Sequence, residues 1–200
     1  NARVRKAAQD LLDKLNAYKI SIDIFEKYLN EDFSLPVSGL NELCSVAKTS
    51  SDNVLAFYYD KLISLLKSVL LEKSDPSEKS KEIRHDTLEI SARIGVACKG
   101  KFANDWPEIF RLFLMGNSRH SAEETTEDNC HGCDLMKPEV IIRKNCSDTD
   151  CGRCKCRAYW CVACLSRILL AASDDVREKT KCPFCRSNFC VWDVKMLTSE

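Results

Sequence analysis

The chain has 200 residues, enough for one ordinary domain or two small ones, and its 44% apolar content permits a packed core. Its 30 Lys and Arg balance its 30 Asp and Glu, so the whole chain has no basic footprint for nucleic acid or an acidic membrane. Of 13 cysteines, 11 lie between Cys130 and Cys190, and only Cys44 and Cys98 precede them.

Residues 1–115 read as a mostly α-helical bundle. Val4, Ala8, Leu11, Leu12 and Leu15 recur at helical spacing, followed by Ile20, Ile24, Tyr28 and Leu29. Another stripe runs from Leu55 through Leu70, and a further one through Ile83, Ile90, Ile94 and Ala97. All these stripes are expected in the core of the bundle, an exposed groove for a partner helix being the alternative. Pro36 and residues 74–77 punctuate the helices. A short last helix is expected to start at Asp105 as N-cap, with Pro107 in its first turn. Residues 54–71 are the longest apolar run, but Asp60, Lys61 and Lys67 interrupt it, so it does not qualify as a membrane span and the chain as given is expected to be soluble. His85 and His120 read as surface residues, and Cys44 and Cys98 as buried small side chains. Residues 116–129 are polar and acidic and read as a linker. The expected domains are therefore 1–115, helical, and 130–200, cysteine-rich, with 116–129 between them.

The cysteines carry the chemistry. Four pairs are spaced Cys-x-x-Cys: Cys130/Cys133, Cys151/Cys154, Cys161/Cys164 and Cys182/Cys185. Two cysteines three apart can place both sulfurs on one tetrahedral zinc, whereas a disulfide framework has no reason to favour that spacing. Zinc in turn implies a reducing, cytosolic or nuclear setting. The order of the pairs, with Cys182-Pro183-Phe184-Cys185 last, is that of a RING domain. There the first and third pairs share one zinc and the second and fourth share another, locking a small α+β fold without a large core. Residues 140–142 read as a strand, 165–172 as the short RING helix and 189–194 as a second strand. Expected zinc ligands are Cys130, Cys133, Cys161 and Cys164 for one ion, and Cys182 and Cys185 with Cys154 and Cys156 for the other. The eighth position stays open. Counting back from Cys161 puts Ala158 where a ligand ordinarily stands, so Cys156 could instead be joined by Cys190 or another thiol. Cys146, Cys151, Cys190 and His131 are left as a third site or as free thiols. Residues 130–200 hold 12 Lys and Arg against 9 Asp and Glu. Eight thiolates on two zincs would bring that part to about −1, no phosphate-binding surface.

The block from Cys154 to Cys164 (CKCRAYWCVAC), with Cys182 to Cys190 (CPFCRSNFC) and Val191 to Val194 (VWDV), resembles the atypical RING of the transmembrane protein 129 family. The resemblance covers about residues 130–195. It implies a ubiquitin ligase, anchored at the cytosolic face of the endoplasmic reticulum by spans upstream of Asn1 and serving degradation there. A RING of this kind binds a ubiquitin-charged conjugating enzyme and positions it for transfer to a protein substrate. Matched to that motif, Leu165, Ile168, Pro183 and Phe184 would form an apolar groove for the conjugating enzyme, although Leu165 and Ile168 could simply pack the core. Ile168 and Gly132 stand where such domains commonly carry a Trp and a large apolar residue. Arg186, directly after the last ligand, would bridge conjugating enzyme and ubiquitin through its fork of donors. The other reading is a non-catalytic, zinc-dependent interaction module.

Overall fold

The computed structural model describes residues 2–29, 37–72, 78–116, 129–143, 155–173 and 175–197. Six helices precede the cysteine-rich part: α1 (Ala2–Leu29), α2 (Val37–Thr49), α3 (Asp52–Phe57), α4 (Tyr59–Glu72), α5 (Glu78–Ala97) and α6 (Lys99–Met115). Then come β1 (Val140–Arg143), β2 (Lys155–Trp160), α7 (Val162–Ala172), β3 (Thr180–Lys181), β4 (Asn188–Phe189) and β5 (Val194–Met196). Among the described residues no helix is long and apolar enough to cross a membrane.

α5 packs against α2, α3, α4 and α6, which makes it the centre of the bundle. The stripe read over 55–70 is divided between α3 and α4 by a turn at Tyr58, yet Leu55, Leu62, Leu65 and Leu66 are all fully buried. α1 departs from expectation. Only its C-terminal end enters the core, through Phe25 and Leu29, while Val4, Leu11, Leu12, Leu15 and Ile20 are exposed. The reason is geometric: 28 helical residues span about 42 Å, and α2, α3 and α4 meet only one end of that length.

The last helix of this part also differs. It begins at Lys99 with Cys98 as N-cap, so Pro107 lies well inside it. Asp105 does not cap anything, because its carboxylate accepts hydrogen bonds from the Tyr59 hydroxyl at 2.8 Å and the Lys67 ammonium at 3.1 Å. Trp106, Ile109, Phe110 and Phe113 of α6 are fully buried.

β1 is the middle strand of an antiparallel sheet ordered β2-β1-β5. Val140, Ile141 and Ile142 are all buried, so both faces of that strand are covered. β3 and β4 form a separate ribbon, Thr180 opposite Phe189, whose connecting turn carries Cys182 and Cys185. The strand expected over 189–194 is broken. The Cys190 backbone N–H donates to the Asp193 carboxylate at 2.9 Å, which closes a 3-10 turn over Val191–Asp193 between β4 and β5.

The linker read at 116–129 lies mostly outside the described residues, but the two parts it joins touch. α6 packs on α7, and the Trp106 indole N–H donates to the Ser166 carbonyl at 3.1 Å in a fully buried contact. Arg111 of α6 pairs with Glu139, which also accepts the Val162 N–H at the start of α7 at 3.0 Å. Trp192 meets Phe113 edge to face at 5.2 Å and stacks with His85. Arg177 reaches Glu89 of α5 at 2.7 Å. Burial alone would raise the Glu89 carboxyl, but Lys48, Cys44 and Arg177 outweigh it and hold it below the usual range. Cys44 and Asp86 also approach Glu89. Since Lys48 and Arg177 already neutralise that carboxylate, the group is a polar joint between α2, α5 and the cysteine-rich part.

Trp106→Ala should remove the buried indole and its hydrogen bond together and cost about 3–5 kcal/mol of stability. Denaturant unfolding followed by far-UV circular dichroism checks it; a loss under about 1 kcal/mol would mean that α6 is not the support it looks to be.

Candidate metal centre

Four cysteines meet from two segments of the chain. Cys130 and Cys133 come from the segment before β1, Cys161 is the N-cap of α7, and Cys164 lies in the first turn of α7. Their four sulfurs all lie within 4.8 Å of one another. A zinc–sulfur bond of about 2.3 Å puts tetrahedral sulfurs about 3.8 Å apart, so small adjustments bring this set onto one ion. Backbone N–H groups point at the sulfurs: Gly132 and Cys161 donate to Cys130 at 3.3 and 3.1 Å, and Cys164 donates to Cys161 at 3.4 Å. Burial would raise the Cys130 thiol, but the N–H donors of Cys161 and Gly132 outweigh it and bring it down to about 7. Thiolate character is what a metal ligand needs.

Gly132 explains itself here. A Cβ at that position would lie 2.9 Å from Cys164 Cβ, 3.0 Å from its Sγ and 3.2 Å from the Trp160 ring. Any side chain would push Cys164 away from its three partners, so the departure noted at Gly132 is a condition of this cluster.

The second group holds Cys156, Cys182 and Cys185, again within 4.8 Å of one another, with Cys156 and Cys182 sulfurs 3.5 Å apart. Burial pushes the Cys156 thiol up to about 12. Burial acts the same way on Cys185, but the Ser187 hydroxyl at 2.9 Å and the Ser187 backbone prevail and bring it down to about 7. Crowded, partly buried sulfurs repel once ionised, and a divalent cation removes that cost. Cys154, expected with Cys156, lies outside the described residues, as do Cys146 and Cys151. Cys190 is not with this group: its thiol donates to Asp193 at 3.4 Å and helps hold the 3-10 turn. His131 is an exposed residue beside Tyr159 and Phe184 and joins neither cluster.

Strand β2 explains the unusual spacing. Cys156, Ala158 and Trp160 are buried on one face of it, because side chains alternate along a strand. Moving a ligand back by two residues, from 158 to 156, keeps it on that face. The Ala158 N–H then donates to the Cys156 sulfur at 3.4 Å.

Each Cys-x-x-Cys at the two ends forms a tight knuckle. Asp134 donates its N–H to the Cys130 carbonyl at 2.8 Å, and Arg186 donates to the Cys182 carbonyl at 2.9 Å. Both residues take left-handed backbone, with φ of 56° and 59°, which costs a non-glycine residue about 1–2 kcal/mol and persists only where the surroundings impose it.

The expected groove residues separate. Leu165 is fully buried and cannot offer its side chain to a partner, so it packs the core. Ile168 is half-buried, Pro183 is exposed, and Phe184 is 56% exposed with its ring edge-to-face on His131 at 5.1 Å. Leu135 and Met136, in the turn after Cys133, are exposed too and were not singled out from the sequence, where nothing periodic marks them. Arg186 is exposed, and its guanidinium has no partner among the described residues.

Two cysteine clusters interleaved along one chain, a short helix after the third pair and a small antiparallel sheet define a cross-braced RING-type domain, with donors that fit zinc. Residues 103–197 match the family model described as TMEM129 RING domain, and the match takes in most of α6. Over 97 residues the chain is 30% identical to the human E3 ubiquitin-protein ligase TM129 and to chicken transmembrane protein 129. The Xenopus laevis E3 ubiquitin-protein ligase TM129 is 27% identical over the same length. Each alignment covers 44% of this chain and 27% of the relative, so the chain matches about a quarter of their length. No solved structure matches the chain.

Gly132→Ala should weaken zinc retention by about 10- to 100-fold, the usual cost of disturbing the shell around metal ligands. Competition with a chromophoric chelator measures this. Unchanged retention would mean that Cys164 is not held where the first cluster needs it.

Proposed function

We propose that the chain is the zinc-bearing part of a RING-type ubiquitin ligase that holds a ubiquitin-charged conjugating enzyme in a reactive arrangement for transfer to substrate lysines. The observation that carries this is the interleaved pair of cysteine clusters within a segment matching the TMEM129 RING model. The similar human protein bears the name of an E3 ubiquitin-protein ligase. Two zinc ions would be held, one by Cys130, Cys133, Cys161 and Cys164, the other by Cys156, Cys182 and Cys185 with Cys154. Zinc in such closed sulfur sites supplies cross-links and no open position for a bound water. The chain's own residues then act by orientation, which can lower a barrier substantially without a nucleophile. In this reading Phe184, Pro183 and Ile168 make the apolar contact with the conjugating enzyme, with Leu165 supporting them from beneath. Arg186 lies on a knuckle that also holds two ligands, so its guanidinium is well placed to donate to conjugating enzyme and ubiquitin together. The name of the chicken relative suggests a membrane setting. We place the ligase at the cytosolic face of the endoplasmic reticulum, held there by segments outside this chain and serving protein degradation at that membrane. In this reading the chain divides into a helical domain, 1–115, and a zinc domain, 130–200, joined by 116–129, with α6 of the first supporting the second.

The burial of Leu165 favours a second reading, in which the domain is a non-catalytic interaction module. Single-turnover discharge with a panel of charged conjugating enzymes separates the two. Under the ligase reading, Arg186→Ala slows discharge at least about tenfold with zinc content unchanged, because the lost contact is made in the reactive arrangement. Arg186→Gly should be equally slow yet at least as stable, since glycine relieves the left-handed backbone. Phe184→Ala should chiefly weaken binding of the conjugating enzyme. Wild-type discharge rates in both Arg186 variants would remove its bridging role, and no stimulation of any conjugating enzyme by the wild-type chain would favour the interaction module.

A further inference from the structure

The first two-thirds of α1 carry an apolar stripe that nothing among the described residues covers. Val4, Ala8, Leu11, Leu15 and Tyr18 follow one another at alternating spacings of four and three. The four large ones, with Leu12 beside them, are 45–65% exposed. The same alternation continues without a break through Ile22, Phe25 and Leu29, and there the bundle covers it. Four heptads of unbroken 4-3 spacing are the pattern of a helix that meets another helix in register. One half of the seam has its partners in α2, α3 and α4, and the other half is left exposed among the described residues.

Charge decides what kind of partner fits. In the heptad register that puts Val4, Leu11 and Tyr18 at d and Ala8 and Leu15 at a, the flanking e and g positions of the exposed half hold Arg5, Lys14 and Lys19 as their charged residues. Asp10 and Asp13 fall on the opposite face. Two copies of α1 side by side in parallel would set Lys14 of one against Lys19 of the other, and an antiparallel pair would again set basic flank against basic flank. Within residues 1–200 no other segment supplies the partner. The longest stretch outside the described residues, 117–128, is acidic but has no apolar side chain larger than alanine. A bilayer surface would also accept an apolar sector with basic flanks, but the repeat runs on in register from the half that is already packed against helices, which favours another helix. At the inner end of the seam, Lys14, Tyr18, Ser21, Ser50 and Val54 line a cleft of about 300 Å³ where the end of a docked helix would abut the bundle.

We propose that the exposed half of α1 is the docking seam for an amphipathic helix of another polypeptide, apolar at its a and d positions and acidic beside them. Docking there would bring that polypeptide onto the same bundle that packs against the RING. The seam lies outside the zinc clusters and the surface assigned to the conjugating enzyme, so its test is independent of the ligase reading.

Two designed peptides of about three heptads serve as probes, both with Leu at a and d, one with Glu and the other with Lys at e and g. Fluorescence anisotropy with the full chain should show the Glu peptide binding at least about tenfold more tightly, with the difference shrinking at high salt. Lys14→Glu with Lys19→Glu should reverse the preference. Leu11→Gln with Leu15→Gln should abolish binding of both, with zinc content and helicity as in the wild type. If the Gln variant lost helicity, the reversal by the charge variant would decide alone. Equal affinity for the two peptides, or no binding of the Glu peptide, overturns the proposal. So does a wild-type dimer by light scattering that the Gln variant dissolves, which would make the occupant a second copy. Co-sedimentation with phosphatidylcholine–phosphatidylserine vesicles that the Gln variant loses would make it a bilayer and equally overturn it.

Discussion

Strand β2 is the constraint on which the zinc-binding part depends. Cys156 within it belongs to one cluster and Cys161 directly after it belongs to the other. Five residues of nearly extended chain therefore fix the separation of the two clusters. β1 pairs with β2 on one side and with β5 on the other, so both ends of the cysteine-rich segment are tied to that strand. A segment this short cannot bury enough apolar surface to order itself, and cross-linking through metal supplies folding free energy that packing cannot.

The RING does not stand alone on those links. The α6 indole of Trp106 closes over α7, Glu139 joins Arg111 to the start of α7, and Trp192 lies between Phe113 and His85. Contacts to both ends of the cysteine-rich segment thus come from α5 and α6. The family match beginning at residue 103 fits this dependence, since most of α6 travels with the RING. The exposed face, by contrast, is made of Phe184, Pro183 and Arg186 in the β3–β4 turn, which hangs on its knuckle and its cysteines.

How much of this could be read from the sequence depends on whether a signal was local. Cys-x-x-Cys spacing is local, and the grouping of Cys130 and Cys133 with Cys161 and Cys164 was legible from the order of the pairs, whereas Cys156, which belongs to no such pair, was expected beside Cys182 and Cys185 only with its fellow ligand left open. The strand at Val140 and the helix before Ala172 follow from short apolar runs and were legible too. What failed depended on partners far away in sequence. Asp105 has the composition of an N-cap, but Tyr59 and Lys67 engage its carboxylate in the middle of α6. The run from Phe189 has strand composition, but Asp193 turns it through the Cys190 N–H. The α1 stripe has the periodicity of a core helix, and periodicity cannot tell whether anything lies opposite. Gly132 read as a missing apolar contact until the position of Cys164 showed that there is no room for one.

The central claim is that two sulfur clusters share β2 and hold one zinc each. Metal analysis of the purified chain and of a Cys156→Ser variant tests it most directly, read together with X-ray absorption at the zinc edge. The account predicts about two zincs per chain in a sulfur-only environment, falling to about one in the variant while the remaining zinc keeps four sulfur neighbours. Fewer than two zincs in the wild-type chain, or a Cys156→Ser chain that keeps both with unchanged sulfur coordination, would contradict it.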